Sequence, residues 1–184
     1  MAITMGHNAT KTAVNYYLRY LMDFNLVQTK ATQLTFEPIN VSQFLEQELF
    51  IFFDDLTAKK IVVTPKITPN LTLTTNKLLL QRIIQNIVGN WLKYADKTAT
   101  VSLKQRDEQH LALVFSNQTT LTAVPNKPVT QQFFTTAAAD TQSTGLGLTI
   151  VQSLITTLGG KMQVETTTNC FTISLVLRTQ PPVD

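Results

Sequence analysis

Two segments of the sequence combine residue types that could bind a phosphorylated ligand. The first segment, residues 143–161, opens with Gly145 and Gly147 and continues with apolar residues at helical spacing until Gly159 and Gly160. Glycines at a helix start let a ligand approach the backbone, and the free N–H groups there favour an anion such as phosphate. An ordinary amphipathic helix with a glycine-rich entry is the alternative interpretation, because short glycine motifs are weak signals.

The second segment is a predicted helix over residues 77–94 with two different faces. Its apolar residues fall within one ~60° sector at 100° per residue and are predicted to face the core: Leu80, Ile84, Ile87 and Trp91. Roughly opposite lies a polar stripe of Arg82, Asn86, Asn90 and Lys93. Amide oxygens can join a Mg²⁺ shell that water and phosphate oxygens complete, and a lysine can balance the remaining phosphate charge. A solvated polar face with incidental asparagines is the alternative interpretation.

The composition restricts the class of protein. The chain has 184 residues, of which 43% are hydrophobic, as in a globular domain with a buried core. The net charge is +3 and the basic residues form no run, so nucleic acid is not an expected partner. Cys170 is the only cysteine, which excludes an internal disulfide. Neither an apolar run of the ~18 residues that cross a bilayer nor a signal peptide is present, so we expect a cytoplasmic chain, as a piece of a larger protein.

Periodicity predicts further elements around these two segments. Helices are predicted over residues 10–28 and from Asn40–Ser42 to about Lys59, and strands over residues 61–64, 71–74, 98–103, 111–115, 161–166 and 170–178. Thr74 or Thr75 is predicted to cap the 77–94 helix. Between Ser116 and Ser143 periodicity disappears. A loop of that length inside a compact domain is predicted to be a lid over a ligand at the glycine-rich helix start.

These segments resemble the motifs of sensor histidine kinases. Residues 86–94, Asn-Ile-Val-Gly-Asn-Trp-Leu-Lys-Tyr, resemble the N-box, and residues 143–148, Ser-Thr-Gly-Leu-Gly-Leu, resemble the second glycine box. The order of the predicted elements also fits, over about residues 35–178. The resemblance implies an α/β two-layer sandwich, in which a mixed, mainly antiparallel sheet packs on about three helices. It also implies that residues 1–34 hold the end of a dimerisation helix and that residues 179–184 are a C-terminal tail.

The resemblance implies that ATP lies between the helices and the lid, and it assigns a role to each matching position. Asn90 would hold Mg²⁺, Asn86 would support the metal and the phosphates, and Lys93 would meet a phosphate. Asn90 and Lys93 are therefore the residues expected to act in phosphoryl transfer, while Tyr94 would lie near the nucleotide. The remaining expected contacts are the second glycine box and the counterpart of the family's F-box, namely Gly145, Leu146, Gly147, Leu148, Phe133 and Phe134.

The chain departs from the family's pattern at three places. The first glycine box, normally Asp-x-Gly-x-Gly after a strand, is represented by residues 116–120, Ser-Asn-Gln-Thr-Thr. Ser116 would thus stand where an aspartate accepts a hydrogen bond from the adenine amino group, which predicts weak ATP binding with poor discrimination against GTP unless Asn117 takes over. Trp91 replaces the small residue usual after the second Asn of the N-box. Finally, no histidine lies in the context of a phosphoacceptor.

Three hypotheses follow. The first is the ATP-binding catalytic domain of a two-component sensor histidine kinase, which transfers phosphoryl from Mg-ATP to a histidine not present in this chain. Its expected partners are its own dimerisation and phosphoacceptor domain and a response regulator, in a homodimeric full-length protein that meets the membrane only through segments outside this chain. The second is a degenerate nucleotide-binding or interaction module that signals without kinase activity. An ATPase of the Hsp90 or MutL kind is disfavoured, because residues 77–94 contain no Glu or Asp base.

Overall fold

The computed structural model describes residues 34–120 and 146–180. The predicted 10–28 helix and most of the predicted lid lie outside these ranges. Within them the elements are, in chain order, β1 (Glu37–Asn40), α1 (Val41–Ile51), α2 (Phe53–Ala58), β2 (Val62–Ile67), β3 (Thr72–Thr75), α3 (Lys77–Tyr94), β4 (Thr98–Asp107), β5 (His110–Gln118), α4 (Leu146–Thr157), β6 (Lys161–Thr167) and β7 (Cys170–Arg178). The predicted bounds of the central helix, residues 77–94, are confirmed by α3.

The described strands form two sheets. β1 pairs with β3 in a short antiparallel ribbon, and the other sheet has the order β2-β4-β5-β7-β6. In this larger sheet β2 and β4 run parallel, while the neighbouring pairs from β4 to β6 are antiparallel. Helices α3 and α4 lie side by side, and α1 packs against α3. Buried residues of α3 and α4 share one core with those of the sheet, where Trp91 meets Phe115. The predicted fold class, a mixed and mainly antiparallel sheet layered on helices, is confirmed.

Helix α3 supplies the centre of the core. The four residues predicted to face inward, Leu80, Ile84, Ile87 and Trp91, are each at most 2% exposed. The Trp91 ring packs against Phe115 of β5, with centroids 5.6 Å apart and planes inclined by 60°. Leu79, Ile83 and Val88 are also fully buried, so the apolar face is wider than predicted. The extra width arises because α3 is flanked by α1 and α4 as well as covered by the sheet.

The start of α3 differs from the prediction. Its N-cap is Asn76, whose Oδ1 accepts a hydrogen bond from the Leu79 N–H at 3.0 Å, and not Thr74 or Thr75. Both threonines lie in β3, and the helix begins only at Lys77, so the cap position falls to the residue directly before it, Asn76. Asn76 is also anchored from outside the helix, since its Nδ2 donates to the Thr35 carbonyl at 2.9 Å.

Two other predicted boundaries also move. The predicted helix from residues 40–42 to Lys59 is divided at Phe52, whose φ of −96° and ψ of 4° leave the α-helical range between α1 and α2. Pro65, predicted to separate two strands, lies inside β2. Because β2 is an edge strand, a residue without a backbone N–H can be accommodated there without breaking a ladder on both sides.

The glycine pair at the end of α4 sets the angle at which the chain enters β6. Gly159 has a φ of 71°, in the left-handed region that glycine adopts without strain, as predicted for a helix end. The Gly160 N–H donates to the Ile155 carbonyl at 2.8 Å. A Cβ at Gly160 would lie 2.7 Å from the Val176 carbonyl oxygen and 3.0 Å from the Ile155 side chain. The helix and β7 can therefore approach this closely only with glycine at position 160.

We predict opposite effects for two glycine-to-alanine substitutions. Gly160→Ala should lower the free energy of unfolding by about 1–3 kcal/mol, because its methyl group would overlap the backbone of β7. Gly89→Ala should raise it by about 0.5–1 kcal/mol, because Gly89 lies inside α3 and the new methyl group would meet no other group within 4 Å. Urea unfolding of both variants measures the two changes. Equal stabilities would show that the packing of α4 on β7 is not as described.

Candidate functional site

The polar stripe of α3 lies directly beneath the start of α4. Gly147 is the second residue of α4, and a methyl group on its Cα would lie 3.5 Å from Asn90 Oδ1 and 3.8 Å from Asn86 Oδ1. Both amide oxygens thus face the same point of the α4 backbone. The structure therefore brings together Asn86, Asn90 and Gly147, although the two predicted motifs are far apart in the sequence.

The orientation of Asn86 is fixed from within its own helix. Its Nδ2 donates to the carbonyl oxygen of Arg82, one turn earlier, at 2.8 Å. Because the amide nitrogen is engaged there, the amide oxygen is the atom that Asn86 offers to the space below Gly147. Asn86 and Asn90 are both half-buried, so neither side chain is enclosed by the apolar core. This pair of oxygens is suited to a hard cation.

The first turn of α4 adds a second kind of donor. The backbone N–H groups that open a helix have no partner within it, and they lie at the positive end of the helix dipole. Leu146 and Gly147 provide this start, while the half-buried Leu148 packs its side chain against the core. Amide oxygens on α3 that suit a cation and N–H donors on α4 that suit an anion are therefore adjacent. Gly145, Phe133 and Phe134, the other expected contacts, lie outside the described residues.

The C-terminal ends of α3 and β5 meet next to this cleft. Lys93 and Tyr94 form the last turn of α3, with Lys93 exposed and Tyr94 half-buried. Directly afterwards, the Asp96 N–H donates to the carbonyl oxygen of Gln118 at 2.8 Å, which ties the chain after α3 to the end of β5. The residues of the degenerate first glycine box are thereby held at the same end of the molecule as Lys93 and Tyr94.

Ser116 and Asn117 lie on opposite faces of the sheet. Phe115 packs on Trp91 of α3, and since side chains alternate along a strand, Asn117 shares that helix-covered face and is only 5% exposed. Ser116 lies on the other face, where its Oγ is 3.1 Å from Thr172 Oγ1 and 3.2 Å from the sulfur of Cys170. The structure thus does not bring Ser116 to the polar stripe. Asn117 is the residue of this pair that faces α3.

A buried polar cluster next to the site escaped the sequence-based reasoning. Glu48 of α1 is only 4% exposed, and Gln81 Nε2 of α3 donates to its Oε1 at 2.7 Å. Gln85 Nε2 lies 3.5 Å from Oε2 of the same carboxylate. The available signal was a Gln pair spaced by four residues on α3, which a buried acid on a neighbouring helix can bridge. Nothing local in the sequence distinguishes Glu48 from an exposed glutamate, however.

The hydrogen bond between His110 and Asp107 is remote from the cleft. His110 Nδ1 lies 2.7 Å from Asp107 Oδ1, at the turn between β4 and β5. This hydrogen bond, together with one from the Gln109 backbone N–H, holds the pKa of Asp107 below its ordinary value. His110 begins β5 and Asn117 lies near its end, so the interpretation of His110 as an ordinary surface histidine agrees with its position.

The part of the chain that the structure describes offers few other ligands for a metal. No group of three or more His, Cys, Asp and Glu side chains in residues 34–120 and 146–180 could hold a metal ion. A cation at Asn86 and Asn90 would therefore complete its shell with water and ligand oxygens. Among the same residues, no helix is long and apolar enough to span a membrane.

Known proteins share sequence and fold with this chain. The family of histidine kinase-, DNA gyrase B- and HSP90-like ATPases matches residues 75–179, which include α3, both strands after it, and α4 to β7. The sensor histidine kinase GacS of Pseudomonas protegens is 28% identical over 159 residues, which are 80% of this chain and 17% of that protein. The chain thus spans about one sixth of the length of this curated relative.

Solved structures show the same fold. Acinetobacter baumannii histidine kinase AdeS superimposes with a TM-score of 0.74 over 90% of this chain and 78% of that chain, at 18% identity. Full-length ShkA, solved in complex with AMPPNP, gives a TM-score of 0.75 over 94% of this chain and 38% of that chain, at 17% identity. At these identities the structures show the fold alone, whereas the family match covers the motif residues themselves. Because that match extends over more than half of the 184 residues, this chain belongs to the histidine kinase-, DNA gyrase B- and HSP90-like ATPase family, as its N-box and glycine-box residues predicted.

Proposed function

We propose that this chain is the catalytic domain of a two-component sensor histidine kinase, which binds Mg-ATP between α3 and the start of α4. The observation that carries the proposal is the convergence of the Asn86 and Asn90 amide oxygens below Gly147. The match to the ATPase family and the similarity to a GacS sensor histidine kinase support it.

Different residues of the cleft are proposed to bind the metal ion and the phosphates of Mg-ATP. Asn90, with support from Asn86, would hold Mg²⁺, and the two amide oxygens fit this role because Mg²⁺ usually takes few protein ligands and completes its shell with water and phosphate oxygens. When bound, the ion neutralises phosphate charge. The N–H groups at the start of α4 bind phosphate oxygens, and Lys93 balances the charge that remains. Catalysis of phosphoryl transfer by this chain consists of such positioning and charge neutralisation.

The acceptor of the phosphoryl group is proposed to lie outside this chain. Helix α3 has no Glu or Asp, so it lacks a carboxylate that could activate water beside the metal-binding asparagines. This favours transfer to a protein side chain over hydrolysis. We propose that the acceptor is a histidine of the same protein's dimerisation domain, in a homodimer whose catalytic domains are cytoplasmic and joined to a membrane-anchored sensor. A response regulator would receive the phosphoryl group next.

The recognition of the base is proposed to belong to Asn117 and not to Ser116. Asn117 faces α3, and its Nδ2 donates to the carbonyl oxygen of Gln118 at 2.9 Å, which leaves its Oδ1 to accept from an adenine amino group. A neutral acceptor gives about 1 kcal/mol, against about 1.5–3 kcal/mol for a carboxylate. The shortfall of roughly 1–2 kcal/mol corresponds to about 5- to 30-fold in affinity. We therefore still expect weak ATP binding with limited discrimination against GTP.

We predict that Asn90→Ala lowers the affinity for ATP in Mg²⁺ by about tenfold or more, since even an outer partner of a metal ligand is worth about that much. Stability should be nearly unchanged, because Asn90 lies on the half-buried polar stripe and not in the core. Calorimetry with Mg²⁺ and with EDTA measures the effect. Gln152→Ala is the control, because that amide contacts Thr156 of its own helix at 3.2 Å. An unchanged affinity of Asn90→Ala would reject the metal site, and no ATP binding by the parent would favour the interaction module.

We predict that Gly147→Ala weakens the binding of Mg-ATP without lowering the thermal stability of the domain. The new methyl group would make ordinary contacts of 3.5–3.9 Å with Asn86 and Asn90, so the fold can accommodate it. Alanine in a helix is favoured over glycine by about 0.5–1 kcal/mol, and thermal stability should be equal or higher. The methyl group would fill the space between α4 and the two amides, so the Mg-ATP affinity should fall. Retention of full affinity would place the nucleotide elsewhere.

We predict that Asn117→Asp tightens ATP by at most about 5- to 30-fold, because it supplies a charged acceptor on the face toward α3 but loses the hydrogen bond that Asn117 Nδ2 donates to the Gln118 carbonyl. GTP should gain less than ATP, since its base has a carbonyl oxygen at the corresponding position. Ser116→Asp is the matched control and should leave both affinities unchanged, because its carboxylate would lie on the opposite face beside Thr172. Competition of both nucleotides for a fluorescent analogue measures the ratio. A gain for Ser116→Asp and none for Asn117→Asp would restore Ser116 as the base-reading residue.

A further inference from the structure

The buried carboxylate of Glu48 determines the orientation of two side-chain amides of α3, those of Gln81 and Gln85. Both glutamines turn their amino groups toward it, since Gln81 Nε2 donates to Oε1 and Gln85 Nε2 to Oε2. For Gln85 this leaves the oxygen Oε1 on the far side, where it accepts from Arg82 Nη1 at 3.4 Å. A reversed Gln85 amide would present an amino group to a guanidinium, and two donors cannot pair. The carboxylate of α1 thus selects the Gln85 orientation that holds Arg82.

Arg82 extends the polar stripe beyond the two asparagines. Its carbonyl oxygen accepts from Asn86 Nδ2 at 2.8 Å, which places Arg82 one turn, or about 6 Å along the helix axis, before Asn86. The order of groups along α3 is then Tyr94, Asn90, Asn86 and Arg82, from its C-terminal end toward its N-terminal end. The base side of the proposed site lies at the first end, where the Asp96 N–H joins the chain that follows Tyr94 to Gln118, the neighbour of Asn117. A nucleotide whose metal lies at Asn90 therefore extends its phosphate chain toward Arg82.

We propose that Arg82 binds the terminal phosphate of the nucleotide and that Glu48, acting through Gln85, is its positioning residue. This role of Arg82 rests on the proposed function, because the direction of the phosphate chain follows from the base and metal positions. A guanidinium suits this position, since its fork of N–H groups matches phosphate oxygens and it is always charged. The same geometry gives Glu48 a role that no contact with the nucleotide would reveal. A buried carboxylate that served packing alone would have no influence on which nucleotide is preferred.

The test compares the dissociation constants of Mg·AMPPNP and Mg·ADP by calorimetry for the parent and its variants. Arg82→Ala should weaken AMPPNP about tenfold, as expected for a lost charge-assisted hydrogen bond, and leave ADP nearly unchanged. Glu48→Gln should weaken AMPPNP by about threefold, because its amide can donate and so permits the reversed Gln85 orientation. Arg82→Lys should recover part of the loss, because it keeps the charge without the fork.

Gln81→Ala is the matched control for the loss of buried polar contacts. It removes the shorter hydrogen bond to Glu48, at 2.7 Å, but leaves the Gln85 contact with Arg82 in place, so the ratio of the two constants should not change. Should Glu48→Gln fail to fold, Gln85→Leu tests the same link, since it removes the Gln85 oxygen that accepts from Arg82 Nη1. Equal losses of AMPPNP and ADP affinity, or equal ratios for Gln81→Ala and Glu48→Gln, would overturn the proposal while the nucleotide site stands. A parent that binds neither nucleotide would reject the proposed function and this inference with it.

Discussion

The burial of one face of α3 is the constraint on which the rest of the structure depends. Residues on that face are excluded from solvent at every turn, from Leu80 to Trp91, and each of these burials stabilises the fold by roughly 1.5–3 kcal/mol. A helix with so much buried area has a single rotation about its axis. Since successive residues differ by 100°, that rotation also aims Asn86 and Asn90 away from the sheet and toward α4. The chemistry of the cleft is thus a consequence of packing on the opposite side of the same helix.

The cleft is built from neutral oxygens and a helix start, and this choice has electrostatic consequences. Carboxylates would repel the phosphates of a nucleotide, whereas amide oxygens contribute to a metal shell without adding negative charge. Two amide oxygens bind a cation weakly by themselves, so metal and nucleotide are expected to bind together. The nucleotide supplies phosphate oxygens as further metal ligands, and the metal supplies the positive charge that the phosphates need. Positive charge is instead placed at both ends of the polar stripe, in Arg82 and Lys93. The buried acid nearest to the stripe, Glu48, is screened from it by the amides of Gln81 and Gln85.

The sheet decides which residues can take part in the site. Because side chains alternate along β5, one step in the chain separates Asn117, which is buried toward α3, from Ser116, which contacts Thr172 on the other face. The packing of Trp91 on Phe115 fixes this alternation relative to α3. The large side chain that follows the second Asn of the N-box, Trp91, therefore has a structural role, since it joins α3 to β5.

Local patterns determined much of this protein from its sequence alone. The period of the apolar residues predicted both ends and both faces of α3, and the spacing of Asn86, Asn90 and the α4 glycines predicted the family, because these signals depend on residues within one or two helical turns. The tertiary structure decided what depends on distant partners. Asn76 caps α3 because β3 extends to Thr75 and the helix begins at Lys77, Asn117 faces α3 because Phe115 meets Trp91, and Glu48 is buried because two glutamines of another helix donate to it. The physical reason is that hydrogen bonds and ring contacts between elements join residues that are far apart in the sequence. Local periodicity carries no information about such pairs.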